Sequence, residues 1–272
     1  MRTAPLSLLL AVATFGCGGG VPLLYPARTL ATGDVRASAG GSATFVVGGL
    51  SSELAAGRAE VANAPPGIAP PPHDPRYAQA ALVLAAVAPG VAPYVSARVG
   101  LGDRFEGGVT YTGRVAHLDV RRSFDWNDVS LSIGLGIETP IYGDSDSAAL
   151  PQLDLSSIRG YGADVPILIG WESSARAYML WAGGRVGWDH TSVGSVASSR
   201  TTIDVDQDGP GGLSVDRLYG GGVVGLAAGF RHVHAALEID VAYQTAHGTF
   251  EATTATAQGV SMSPAAALWW TF

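Results

Sequence analysis

Between Val129 and Glu138 every second residue is a large aliphatic one. Val129, Leu131, Ile133, Leu135 and Ile137 alternate with Ser130, Ser132, Gly134, Gly136 and Glu138. A helix would scatter the aliphatics around its circumference. In a strand, successive side chains point to opposite faces, so one face becomes wholly apolar and the other small or polar. The chain has 272 residues, 37 of them glycine, and only 14% are charged. Even so, nothing after residue 20 resembles the run of ~20 apolar residues that a membrane-spanning helix needs. Apolar content dispersed over alternate positions suits a sheet with lipid on one face and a polar interior on the other.

Ten period-two runs bounded by turn residues follow from this pattern. The first covers roughly 34 to 47, with Val35, Ala37, Ala39, Ala43, Phe45 and Val47 toward lipid and Arg36, Ser38, Ser42 and Thr44 toward the lumen. The second covers roughly 91 to 101, and the turn Gly102-Asp103-Arg104 leads to a third at 105 to 112. In the fourth, Ala116, Leu118, Val120 and Phe124 oppose His117, Asp119, Arg121 and Ser123, with Arg122 breaking the pattern near its end. The fifth is the run from Val129. The remaining five are expected at about 164 to 171, Tyr178 to Trp188, about 217 to 230, Val233 to Gln244, and the C-terminal segment.

Connection lengths alternate. Those after runs two, four, six and eight are short, whereas 48 to 90, 139 to 163, 189 to 216 and 246 to 258 are long, and only the connection after run three, Gly113-Arg114, breaks the rule. An even number of strands then brings the first and last strands' free ends to the side of the short turns. Within the first long connection, Leu50 to Ala62 has helical composition, 64 to 72 is too proline-rich for a central strand, and Ala80 to Ala88 fits either a helix or another strand. An extra hairpin here would make twelve strands.

The last residues, Pro264 to Phe272, place Ala266, Leu268, Trp270 and Phe272 on one face and Ala265, Ala267, Trp269 and Thr271 on the other. This ending, with the alternation and the loop asymmetry, resembles bacterial outer-membrane β-barrels over roughly residues 33 to 272. The resemblance implies a closed antiparallel transmembrane β-barrel of about ten strands, with short periplasmic turns and long external loops. It also implies residence in the bacterial outer membrane, contact with its lipid, and a terminal Phe272 read by the barrel insertion machinery. It names no substrate. Trp171, Tyr178, Trp188, Tyr219, Tyr243 and Trp270 fall near expected strand ends, where amphipathic rings anchor a barrel at the membrane interface.

The other terminus reads as an export signal. Met1-Arg2 is basic, Ala4 to Ala13 is an apolar core, and Thr14-Phe15-Gly16-Cys17 resembles a lipobox, with Gly16 fitting and Thr14 departing from the usual Leu. Cys17 is the only cysteine, so no internal disulfide is possible and lipidation explains its position. The alternative is cleavage nearby that discards it. The expected organisation is a signal over 1–16, a tether over 17–32, and a barrel over 33–272 with 48–90 as an external or lumenal insertion.

The lumen face would hold Arg36, Arg98, Arg121, Arg185 and Arg231 with Glu106, Asp119, Glu138, Glu238 and Asp240, and His117 and His234 lie beside them. Charges removed from water need partners, so a salt-bridge network in a mostly sealed barrel is expected, because ten strands stand near the side-chain-filled end of the size range. A narrow porin-like channel is the alternative. A net charge of -7 excludes a basic nucleic-acid footprint. Asp204, Asp206 and Asp208 with Gly209 match the first half of a calcium loop, but Val215 stands where the closing Glu belongs, so an acidic solvated loop is the simpler reading. No cofactor is otherwise expected. His190 and Ser192 beside Asp189 vaguely resemble the His-x-Ser arrangement of lipid A deacylases, which makes an outer-membrane hydrolase the rival of another class, although sequence proximity does not make a triad. The sequence identifies no external partner.

Overall fold

In the computed structural model the described residues are 20–63, 74–141, 153–195, 212–250 and 253–272. Ten strands form a closed antiparallel barrel: β1 (Val35–Val47), β2 (Gly90–Gly102), β3 (Phe105–Tyr111), β4 (Val115–Trp126), β5 (Val129–Pro140), β6 (Leu153–Glu172), β7 (Tyr178–Ser195), β8 (Leu213–Phe230), β9 (Val233–Phe250) and β10 (Thr253–Thr271). Neighbours in sequence are neighbours in the sheet, and β10 closes on β1 with Trp270 opposite Ala37 and Arg36 opposite Thr271. The connection between β1 and β2 contains two helices, α1 (Gly49–Asn63) and α2 (Pro75–Ala86). The ambiguous stretch near Ala80 is therefore helical, and the count is ten strands rather than twelve. Asp74 caps α2 by accepting from the Arg76 N–H at 2.8 Å, with Pro75 at its first position.

Alternation decides the facing of nearly every strand residue. On β1 the six lipid-side positions face outward and Arg36, Ser38, Ser42 and Thr44 are buried within. On β10, Ala266, Leu268, Trp270 and Phe272 face outward, while Ala265, Ala267 and Trp269 are buried. Arg122 keeps the alternation: it faces outward near the periplasmic turn, its guanidinium 5.2 and 5.3 Å from the Phe105 and Phe124 ring centres.

Two belts of aromatic side chains bound the outer surface. Trp126, Trp171, Tyr178, Phe230, Trp270 and Phe272 are exposed at the end with short turns, and Tyr161, Trp188 and Tyr243 are exposed above them. Tyr178 and Trp188 share β7 and lie ten residues apart. At ~3.3 Å per residue and a tilt of about 40°, ten residues rise roughly 25 Å, which is the apolar band of an outer-membrane barrel. Tyr219, expected in this set, instead points inward between Arg185 and Arg217. No helix among the described residues is long and apolar enough to cross a membrane, which says nothing of the strands.

The wall is uneven. β1 to β5 are 7 to 13 residues long, and β6 to β10 are 18 to 20. A crossing needs ~9–11 tilted residues, so the five long strands continue well above the bilayer. There the outward residues turn polar, as at Arg159, Asp216, His247, Thr254 and Thr256. Much of what reads as long loops between β5 and β10 is therefore tall hairpin. The stretch 246 to 258 is largely strand, with β9 and β10 paired up to Phe250 and Thr253.

Candidate functional site: the filled lumen

The barrel interior contains more than side chains from its wall. Residues 20 to 30 run through it as chain without helix or strand pairing, with Leu24 at φ 47° and a bend at Ala27-Arg28, spanning from the periplasmic turns toward the upper aromatic belt. At the bottom, the Thr29 hydroxyl lies 2.8 Å from the Ser123 hydroxyl and 3.2 Å from the Arg104 carbonyl. At the top, the Gly20 N–H donates to the Thr44 hydroxyl, itself 2.9 Å from Ser263. The first strand does begin at the periplasmic end, beside Phe272, but the chain before it folds back up into the barrel rather than hanging below as a tether. Cys17 and the signal lie outside the described residues.

Chain of this kind has free amide and carbonyl groups, and burying them requires polar partners. The wall supplies these from its charged positions. The Leu23 and Leu24 N–H groups donate to the two oxygens of Glu238 at 2.7 and 2.8 Å, and Trp181 donates to the same carboxylate at 2.9 Å. Arg185 donates to the Val21 carbonyl at 2.6 Å. Arg121 donates to the carbonyls of Pro26, Ala27 and Arg28 at 2.5, 3.3 and 3.2 Å. The Leu30 N–H donates to Glu106 at 2.8 Å.

Side chains of the segment are equally enclosed. The Tyr25 ring lies against two guanidiniums, with Arg98 4.1 Å and Arg121 4.2 Å from its centre, a desolvated arrangement of the kind worth ~2 kcal/mol per contact. Leu23, Leu24 and Ala27 pack in an apolar cluster with Tyr94, Leu168, Met179, Trp181, Val223 and Trp269.

Most of the expected lumen charges meet here. Glu106 accepts from Arg98 and, at 2.9 and 3.1 Å, from Arg121, while Asp119 pairs with Arg98. His117 lies 2.7 Å from Asp164, which also accepts from Arg185 at 2.8 Å. Higher up, Arg217 pairs with Asp189 at 2.5 Å and reaches Glu138 at 3.9 Å. Four expected positions depart from the network. Arg231 is exposed in the periplasmic turn, over the Phe230 ring, because a two-residue turn interrupts the alternation that placed it inside. Arg36 is buried but stacks 4.7 Å from the Trp269 ring, with no carboxylate partner among the described residues. His234 hydrogen-bonds the Arg176 carbonyl at 2.8 Å at the periplasmic end, not Asp240. Asp240 faces the lumen with no hydrogen bond or ion pair among the described residues.

Residues that sequence pattern missed are Asp164, Asp189, Arg217 and Arg28. Asp164 and Arg217 open the sixth and eighth expected runs and Asp189 lies one residue past the seventh, at ends where Pro166 and glycines weaken the alternation. Arg28 lies on the inserted segment, where it contacts Asp125 at 3.8 Å and Glu172 at 3.7 Å.

The upper lumen is closed differently. Eight of the twelve residues of α2, from Tyr77 to Ala86, are buried. They pack on inward apolar positions of the tall wall, Ile158, Val193, Leu213, Val215, Ala246, Phe250, Ala255 and Ala257. Tyr77 meets Phe250 at 5.7 Å between ring centres, and Arg114 ties the helix end by donating to the Ala85 carbonyl at 2.7 Å. Between this helix and the tip of the inserted segment lies a cavity of about 100 Å³, lined among others by Val21, Ala86, Arg185, Arg217, Asp240 and Ser263. At ~30 Å³ per water it has room for about three.

His190 and Ser192 lie on the outward side of β7 above the membrane band. His190 Nδ1 is 3.0 Å from Asp216, whereas Asp189 points the other way and holds Arg217. No hydrogen bond joins Ser192 to His190 among the described residues. Asp204, Asp206 and Asp208 lie outside the described residues.

No protein-family model matches the chain, and no curated protein does. Among solved structures it is similar to Neisserial surface protein A, at 11% identity over 88% of this chain and 96% of that one with a TM-score of 0.35. It is also similar to Ail of Yersinia pestis, at 10% identity over 89% and 99% with a TM-score of 0.33. A third is the outer membrane protein OprG from Pseudomonas aeruginosa, at 9% over 89% and 97% with a TM-score of 0.36. Likeness at this level concerns the barrel architecture alone and carries no functional argument.

Proposed function

We propose that the protein is an outer-membrane barrel that stands closed, with a structural or surface-exposed role rather than one of open passage or catalysis. The observation that carries this reading is that its own chain occupies the lumen at two levels, with Tyr25 packed against Arg98 and Arg121 below and α2 seated on the tall wall above. The wall that rises beyond the bilayer on β6 to β10 gives such a protein a large external surface. The test is single-channel recording of the refolded barrel in a planar bilayer, with insertion verified by a heat-dependent gel shift. A silent bilayer is expected. Stable conductance steps from the unmodified protein would overturn the reading in favour of a narrow channel, the second reading, which the cavity between the two closures supports with Arg185, Arg217 and Asp240 in its lining.

A further inference from the structure

We propose that the mature chain begins within the glycine run Gly18-Gly19-Gly20, without Cys17, and that its new α-ammonium group sits inside the barrel as the partner of Asp240. Only the processed chain can form this ion pair. The inference needs residues 20 to 30 in the lumen and does not depend on the barrel being closed to ions.

Three observations support it. First, Gly20 lies beside a row of inward side chains that crosses β1, β10 and β9. Its N–H donates to the Thr44 hydroxyl, and a Cβ built on it would lie 3.1 Å from the Ser263 hydroxyl. Ser263 is the direct cross-strand partner of Asp240, a relation that sets their Cβ atoms ~5 Å apart. Gly20, Ser263 and Asp240 line one cavity, so a terminus one or two residues ahead of Gly20 is within reach of the carboxylate.

Second, that carboxylate has no hydrogen bond or ion pair among the described residues, and a charge withdrawn from bulk water needs a partner. Each arginine of the cavity holds another acceptor. Arg185 holds Asp164 and the Val21 carbonyl, Arg217 holds Asp189, and Arg114 holds the Ala85 carbonyl. The chain contains no lysine, since all 16 of its Lys and Arg residues are Arg. A terminal ammonium group delivered by the segment itself fills the missing role.

Third, the height of Gly20 conflicts with a lipid anchor at Cys17. Thr44 stands nine residues above Val35, the periplasmic start of β1, and at ~3.3 Å per residue with a tilt of about 40° this is a rise of roughly 23 Å. The three residues from Cys17 to Gly20 span at most ~11 Å. Acyl chains on Cys17 would have to reach the periplasmic leaflet through a lumen that residues 20 to 30 already fill, and the cavity beside Gly20 has room for only about three waters. Removal of Cys17 avoids the conflict. Gly16-Cys17-Gly18 places small residues at the first and third positions of an A-x-A-like site just after the apolar core Ala4 to Ala13. Hydrolysis of the Gly18–Gly19 bond by a signal peptidase consumes one water and leaves a carboxylate on the leader and an ammonium group on Gly19.

Without lysine, the N-terminus carries the only primary amine of the protein, so one reagent reports on this site alone. The intact mass of the protein extracted from outer membranes is expected to match an unacylated chain that starts at Gly18, Gly19 or Gly20. A chain that retains Cys17, acylated or free, would overturn the proposal. An amine-reactive ester applied to the same folded protein should modify it at least ~10²-fold more slowly than the urea-unfolded chain, because the amine is enclosed. Asp240→Asn should raise the folded rate ~10-fold, because an adjacent carboxylate holds an amine in its protonated, unreactive form. Labelling of the folded barrel at the unfolded rate, or a folded rate that Asp240→Asn leaves unchanged, would place the amine away from Asp240 and sink the ion pair. Mass and labelling are read independently of conductance, so this inference can fail while the barrel stays closed, and a conducting barrel can retain it.

Discussion

Arg121→Ala removes the side chain of the wall network that makes the most contacts with the inserted segment. Arg121 donates to Glu106 at 2.9 Å, supplies the carbonyls of Pro26, Ala27 and Arg28, and covers one face of Tyr25. Breaking a buried ion pair by deleting one partner costs ~3–5 kcal/mol when the other charge is stranded. Glu106 is not fully stranded, since it keeps Arg98 and the Leu30 N–H. The pair term therefore belongs near the low end, ~3 kcal/mol. Three carbonyls lose a charged donor, but water admitted to the vacated space recovers part of that, and the lost cation–π contact adds ~1–2 kcal/mol. The total is roughly 4–5 kcal/mol, or about three to four orders of magnitude in the unfolding equilibrium. The assay is urea unfolding of the barrel refolded into phospholipid vesicles, with Arg122→Ala as control. Arg122 shares the strand but faces outward at the interface, so its loss should change stability by ~0.5 kcal/mol or less. If Arg121→Ala costs under ~1 kcal/mol, or no more than Arg122→Ala, the picture of a plug clamped by buried charge is wrong.

Three further substitutions probe other parts of the fold. Glu238→Gln leaves three converging donors with a single acceptor oxygen, so one of the Leu23 and Leu24 amides faces an NH₂ group. Their exchange should accelerate ~10-fold, in line with a loss of ~1–3 kcal/mol, and unchanged exchange would refute the assignment of Glu238 as their acceptor. Gly225→Ala should destabilise by ~1–3 kcal/mol in the same urea titration, because its Cβ would sit inside contact distance of the Trp181 ring; neutrality would mean that this ring is free to move. Ile133→Arg puts a charge near the middle of the lipid-facing band and should cost ~2–4 kcal/mol, whereas Thr254→Arg, above the bilayer, should cost little. Equal effects would misplace the membrane band.

The parts of this fold legible in the sequence are those where one physical demand acts alone. From β1 to β5 the strands face lipid on one side and the lumen on the other over nearly their whole length, so hydrophobic alternation marks both their extent and their facing. The tall halves of β6 to β10 rise above the bilayer, where outward residues become polar and inward ones apolar against α2. The alternation inverts there, and Leu213, Val215 and Ala246 read as loop. Tyr219 was legible as an interfacial aromatic by composition, but its parity with outward Leu218 sends it inside. Residues 20 to 30 carry no periodic signal at all, because a chain held by distant Glu238, Arg121 and Arg185 has partners up to 215 positions away in sequence.

The two closures differ because their backbones differ. A helix satisfies its own amides and carbonyls along its middle, so the wall around α2 can be apolar, and it is: Ile158, Val193, Val215 and Phe250 offer dispersion contacts and little else. An unpaired segment satisfies none of its own, so the wall around residues 20 to 30 must present donors and acceptors at main-chain spacing, and here the buried Glu and Arg residues do so. This accounts for the placement of charge in the barrel. Buried ion pairs are weak evidence for stability in themselves, and a sealed barrel could be filled with aliphatic side chains at less desolvation cost. Charges placed instead to grip a strand of backbone would be needed only where that backbone sits. The described ion pairs inside the barrel lie alongside the segment or just above its tip, where they share the wall with an apolar cluster, whereas the wall around α2 is apolar. Replacing the Glu106–Arg121 pair by Met–Leu should therefore stabilise a barrel that lacks residues 20 to 30 but destabilise the intact one. A substitution that acted with the same sign in both would show that the charges serve the wall and not the plug.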